Sequence, residues 1–155
     1  MKNIRWTELL ISVIAAELTG AVSALLSGNF RDTYASLAQP PLSPPAAVFP
    51  VVWTILYALM GISAYIVWQS SNSNITAKKL YIAQLAVNFS WSIIFFRFSA
   101  FGIAAFTAVL LFALVAAMAV SFSRISQLAA KLNVPYIIWS AYAAYLAVGT
   151  FILNR

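Results

Sequence analysis

Three sets of side chains in this sequence have types and spacings that could do chemistry, and all lie in apolar surroundings. Gln84, Asn88, Trp91 and Phe95 recur at i, i+4, i+7 and i+11, so in a helix they share one face. Phe49, Trp53 and Tyr57 recur every four residues, directly after a proline-dense segment. Tyr136, Trp139, Ala143, Leu146 and Thr150 form a third face of the same kind. Aromatic walls with a few amides or phenols suit a flat apolar molecule, which they hold and orient. The competing role for Gln84 and Asn88 is as hydrogen-bonded glue between helices, about 1 kcal/mol each. For the aromatics it is an interfacial belt. That role suits Trp6 and Trp68 better than Trp53 and Trp91, which lie further along their helices.

Glu17 is the single acid inside an apolar run. A carboxylate at the centre of a bilayer costs a few kcal/mol, which makes it a functional candidate by default. The alternative is a protonated group, or one hydrogen-bonded to a neighbouring helix. Bond-breaking chemistry has little else to draw on. Histidine and cysteine are absent and Asp plus Glu number 3, which excludes disulfides, thiolate chemistry, a three-ligand zinc site and a histidine-based triad. No catalytic residue, metal or obligatory cofactor is expected.

The elements that must position these residues are membrane helices. The 155 residues are 63% hydrophobic and 8% charged, with a mean hydropathy of +0.91. Soluble domains carry about 25% charged residues. The expected fold class is all-α, a single membrane domain forming a five-helix transmembrane bundle. Its expected spans are 7–27, 46–68, 79–96, 102–122 and 135–153, with a long proline-rich loop between the first two. Lys2 and Arg5 before an apolar run with small residues near Ser23 and Ala24 could be read as a signal peptide. The run is long for that and contains Glu17, so we read a retained first helix. Ala16, Gly20, Ala24 and Gly28 make a small-residue stripe along it, which permits a dimer or close packing within one bundle.

The stretch of about 29–45 reads as the longest loop, with Arg31, Asp32 and Tyr34 ahead of Gln39-Pro40-Pro41-Leu42-Ser43-Pro44-Pro45. Proline fixes φ and removes a donor, so this segment cannot be helix and must be roofed by protein or lie at the interface. Asn74-Ile75-Thr76 matches a glycosylation sequon, a weak signal in so short a turn. The fourth span is almost purely apolar, which suits packing or lipid contact, and Pro135 is well placed at the start of the fifth. The net charge of +6 is explained by loop cations, not by a nucleic-acid partner. Lys2, Arg5, Lys78, Lys79, Arg124 and Lys131 fall on one side of five spans, and Arg31, Arg97 and Arg155 on the other. The excess places the N-terminus in the cytoplasm and the proline loop outside.

The residues also resemble a known family. Tyr34 to Leu37, Pro41-Leu42-Ser43-Pro44-Pro45 and Phe49 to Gly61 resemble the proline loop and second helix of the translocator protein family, also called tryptophan-rich sensory proteins or peripheral benzodiazepine receptors. Ala83 to Asn88 with Trp91, Phe95 and Phe96 is similar to its third-helix signature, and Pro135 to Leu146 to its fifth. The resemblance covers roughly 34–146, with the motifs in order. It implies a five-helix bundle, often dimeric, that binds porphyrins such as protoporphyrin IX and, in animals, cholesterol and synthetic drugs. It further implies a pocket among the helices, with Tyr34, Phe49, Trp53, Asn88, Trp91, Trp139, Ala143 and Leu146 at the matching positions. Gln84 is added from its helix face. Arg31, Leu42, Pro44 and Pro45 belong to the loop lid, where Arg31 could meet a propionate. The expected location is a bacterial cytoplasmic membrane, and the expected partners are a tetrapyrrole or other lipophilic molecule, the lipid bilayer and a second copy of the chain.

Two departures stand out. Leu42 replaces the family's tryptophan, which with the one at Trp139 is linked in bacterial members to light-dependent porphyrin breakdown. Ala147 stands where the family commonly has Asn. No tail tyrosine has a downstream Lys or Arg within five residues, so the proposed cholesterol motif is absent. Two alternatives stay open. One is a porphyrin-degrading enzyme. The other is a proton-coupled exporter of lipophilic cations, because Ala15-Ala16-Glu17-Leu18-Thr19-Gly20 resembles the first helix of small multidrug-resistance transporters, which have four spans.

Overall fold

The computed structural model describes residues 4–155, so Lys2 lies outside the described residues. Among these, all regular structure is helical: α1 Trp6–Leu26, α2 Phe30–Ser36, α3 Val48–Trp68, α4 Ile75–Ser92, α5 Phe101–Ser123, α6 Gln127–Leu132 and α7 Val134–Leu153. A π-helical turn, Ile93–Arg97, extends α4. Five runs are long and apolar enough to cross a membrane: Trp6–Leu26, Val48–Trp68, Ile75–Arg97, Phe101–Ser123 and Gln127–Leu153.

The connection between the first two spans differs from the expected single long loop. Residues 30–36 contain neither Pro nor Gly and form α2, so the irregular strap is confined to residues 37–47. The third span begins at Ile75, earlier than its apolar run, because the Asn74 side chain accepts from the Ala77 N–H at 2.9 Å and caps the helix. Lys78 and Lys79 therefore lie inside its first turns, and the sequon asparagine has a structural use. The last apolar run is broken at Asn133. Its buried amide donates to Ser63 Oγ at 2.9 Å and Ala129 O at 2.8 Å, while Pro135 occupies the first turn of α7, where its missing N–H is not needed.

The helices pack mainly as α1 on α3, and α5 between α4 and α7. Near the N-terminal end of α1 the first pair touches backbone to backbone. Ser12 Oγ donates to Gly61 O at 2.8 Å, and a Cβ at Gly61 would sit 2.5 Å from Val13 Cα. The core continues through Met60, Val67, Val115, Met118 and Phe122. Toward the strap, α5 and α7 approach through Ala104, Ala105, Ala108, Ala144 and Ala147, with Trp91 and Phe95 packed beside them. Small side chains permit that approach, and dispersion supplies the attraction that water exclusion cannot supply in lipid. The α1 stripe divides: Ala16 is buried and a Cβ at Gly20 would sit 2.2 Å from the Tyr57 ring, whereas Ala24 and Gly28 are exposed. The apolar face of α1, with Leu10, Ile11, Ile14 and Leu18, is left for lipid.

Gly61→Val is expected to prise α1 from α3 and destabilise the bundle by about 1–3 kcal/mol, the usual range for overpacking. Thermal unfolding of the detergent-solubilised protein reads this as a lowered Tm.

Candidate ligand-binding site

Away from Gly61, α1 and α3 diverge, and α4 completes the walls of a cavity of about 220 Å³. Glu17, Gly20, Ala21, Ala24 and Ser27 line it from α1 and its end, and Phe49, Pro50, Trp53, Thr54 and Tyr57 line it from α3. Asn88, Trp91, Ser92 and Phe96 close the third side, and Phe30 of α2 caps the mouth. Because α1 and α3 run antiparallel, Glu17, Tyr57 and Asn88 mark the deep end. Ser27, Phe30, Phe49 and Phe96 mark the mouth.

The α4 face divides by depth. Gln84 is fully buried away from the cavity, where its Oε1 accepts from Tyr136 OH at 2.7 Å and its Nε2 faces Met60 Sδ at 3.8 Å. Asn88 Nδ2 donates to the same phenol oxygen at 3.0 Å. Tyr136 is thus donor to one amide and acceptor from the other. Asn88 Oδ1 accepts nothing from the described residues, and its side chain lines the cavity, so the carbonyl end of the amide is what a ligand meets. Trp91 has spent its N–H on Ala104 O at 3.0 Å and offers only its ring. The π-turn then shifts the helical register, placing Phe95 in the α5 core and Phe96 in the cavity wall.

The strap is latched by side-chain donors. Tyr34 OH donates to Pro44 O at 2.7 Å and Tyr145 OH to Pro41 O at 2.8 Å, while Tyr142 OH donates to Leu42 O at 2.5 Å. Asn154 holds Ala38 at both ends, accepting from its N–H at 3.0 Å and donating to its C=O at 2.8 Å. Pro40 lies on Gly149, where a Cβ would come within 2.6 Å of the ring. Burial pushes the Tyr34 phenol above its ordinary value, so it stays protonated and keeps its role as donor.

Of the side chains singled out in the sequence for possible chemistry, Glu17, Phe49, Trp53, Tyr57, Asn88 and Trp91 meet in this cavity. Tyr34 and Trp139 stand behind them, both edge-on to Phe49 with ring centroids 5.2 and 6.0 Å away. The Trp139 Nε1–H is buried and finds no acceptor among the described residues. Ala143 is half-buried and Leu146 buried on α7, outside the cavity lining. Arg31 and Pro45 are exposed and Pro44 is half-buried. Leu42 is 84% exposed at φ +67, a left-handed conformation held while its carbonyl is bound by Tyr142. Sequence reasoning missed Thr54, Ser92 and Phe96 as wall residues, and Phe96 depends on the π-turn.

This arrangement defines a multi-pass helical membrane protein with an aromatic-walled cavity between its helices. The chain belongs to the TspO/MBR family, whose profile matches residues 10–153. It is 34% identical to the tryptophan-rich sensory protein of Cereibacter sphaeroides over 152 residues, covering 98% of this chain and 94% of that protein. It is 36% identical to the human translocator protein over 128 residues, or 80% and 76% of the two chains. The translocator protein homolog of Schizosaccharomyces pombe is 33% identical over 129 residues, 80% of this chain and 79% of that one.

Tyr136→Phe removes the shared hydroxyl, leaving Gln84 Oε1 without a donor and Asn88 Nδ2 without an acceptor. A loss of about 1–2 kcal/mol is expected, at the upper end for buried polar contacts between membrane helices. Thermal unfolding of the mutant beside wild type measures it.

Proposed function

We propose that this chain is a membrane receptor of the sensory or transport type that binds tetrapyrroles such as protoporphyrin IX and related lipophilic molecules. The observation that carries the reading is the cavity itself. Six of its fifteen lining side chains are aromatic, and a single amide carbonyl, Asn88 Oδ1, is available to orient a bound ring by accepting a pyrrole N–H. Two relatives are named translocator protein and tryptophan-rich sensory protein, names that fit a transport or sensory role. A porphyrin is larger than this cavity, so binding requires α1 and α3 to separate further. The propionates then lie at the mouth, where Arg97 is anchored to Leu26 O at 3.1 Å and Arg31 is exposed on α2. The cation bias among the loops puts that mouth on the outer side and Arg5, Lys78, Lys79, Arg124 and Lys131 in the cytoplasm. Photodegradation is the weaker reading, because Leu42 turns away from the cavity and offers no indole.

The test is quenching of tryptophan fluorescence by protoporphyrin IX, in the dark, on detergent-purified wild type and on Asn88→Ala/Trp53→Leu. Saturable quenching at micromolar ligand is expected, with affinity about tenfold weaker in the double variant for the loss of one hydrogen bond and one aromatic wall. Equal, unsaturable quenching in both proteins means the porphyrin partitions into detergent, and the reading falls.

A further inference from the structure

The deep end of the cavity has a chemistry that a neutral or acidic ligand does not use. Glu17 lies near the midpoint of α1, about 15 Å along the helix from Ser27 at the mouth, ten residues away. At that depth an ionised carboxylate is tolerated only with a partner. Among the described residues its carboxylate makes no hydrogen bond or ion pair; the one salt bridge is Arg5–Glu8, at the helix start. Among the described residues, no Lys or Arg lines the cavity. The nearest cations by position, Arg97 and Arg31, belong to the mouth. Facing the same space as Glu17 are the Tyr57 ring, seated in the notch at Gly20 one turn along α1, and the indole of Trp53, 5.7 Å from it by ring centroids. Asn88 Oδ1 adds a second acceptor.

An unpaired carboxylate, aromatic ring faces and a bare carbonyl, with no competing cation, are together the recognition chemistry of an organic ammonium ion. We propose that the Glu17 end of this cavity is a cation subsite, taking a lipophilic ammonium ion whose charge pairs with Glu17 and packs against the Trp53 and Tyr57 rings. The subsite goes beyond tetrapyrrole binding and stands or falls separately from it. A tetrapyrrole uses the aromatic walls and the mouth cations; an ammonium ion uses the deep acid. Binding alone is assigned to Glu17, with no transfer of protons or ligand across the membrane.

The test titrates benzyltrimethylammonium and its uncharged carbon isostere, neopentylbenzene, into wild type and Glu17→Gln in lipid nanodiscs, reading tryptophan fluorescence. Partitioning into lipid is common to both proteins and cancels when the ammonium-to-isostere affinity ratio is compared between them. The ratio is expected to fall by about tenfold in Glu17→Gln, the size of one desolvated ion–aromatic and ion-pair contact. Glu17→Gln removes a charge from membrane depth and is expected to keep the wild-type elution profile and Tm. A ratio that moves by less than about twofold, or ammonium binding that does not saturate on wild type, overturns the subsite. Protoporphyrin IX titrated in parallel separates the two readings. Porphyrin saturation without an ammonium effect sinks the subsite alone, and the reverse sinks the tetrapyrrole reading alone.

Discussion

Much of this structure answers to one constraint: backbone polar groups at the edge of a membrane bundle must find partners inside the protein or in interfacial water. The strap between α2 and α3 is the hard case, because its prolines cannot join a helix and leave their carbonyls free. The solution is a row of side-chain donors placed on helices that are themselves fully bonded. Tyr142 and Tyr145 project from α7, Asn154 from its end and Tyr34 from α2, each meeting a strap carbonyl. Asn154 also accepts from the strap, at the Ala38 N–H, and the Tyr34 carbonyl accepts from Gln39 Nε2. The prolines leave little else to donate. The latch ties the strap to the last helix, and neither contributes a residue to the cavity lining.

The cavity arises from a difference between the two ends of one helix pair. At Gly61 the backbones of α1 and α3 meet with no side chain between them, whereas toward the strap Trp53 and Phe49 hold the helices apart. A wedge of this kind opens where the large side chains are, and it is lined by them. The small residues of α1 serve the same geometry. Gly20 accepts the Tyr57 ring and Ala24 leaves the space open. Half of the stripe, Ala16 and Gly20, is used inside this chain.

Polar groups in the membrane interior fall into two states here, paired and presented. Tyr136 satisfies Gln84 completely at its oxygen and Asn88 only at its nitrogen, so one amide is closed and the other is half-open toward the cavity. Trp91 is closed at its N–H by Ala104 O, whereas the Trp139 N–H is buried without an acceptor among the described residues. Among the described residues, Glu17 has no hydrogen-bond or ion-pair partner. A buried polar group left unpaired costs free energy in any fold, and at a cavity wall the missing partner is the natural place for a ligand.

Membrane character, helicity and the faces carrying Phe49–Trp53–Tyr57 and Gln84–Asn88–Trp91 were legible in the sequence, because they depend on local composition and a 3.6-residue period. The order of motifs made the family legible too. What the period cannot decide is which member of a face meets a neighbour and which meets a void. Gln84 and Asn88 are one turn apart on the same face, and only the arrival of Tyr136 from 48 residues beyond Asn88 separates them. Phe95 and Phe96 exchange expected places because a π-turn, stabilised by packing on α5, shifts the register. The helix at Phe30–Ser36 was hidden by its nearness to the prolines, which restrict only the residue just before them. Sequence determined the elements and their apolar faces, since those are set residue by residue along the chain. Tertiary structure alone decided which polar atoms are spent and which remain free, since that depends on partners distant in sequence.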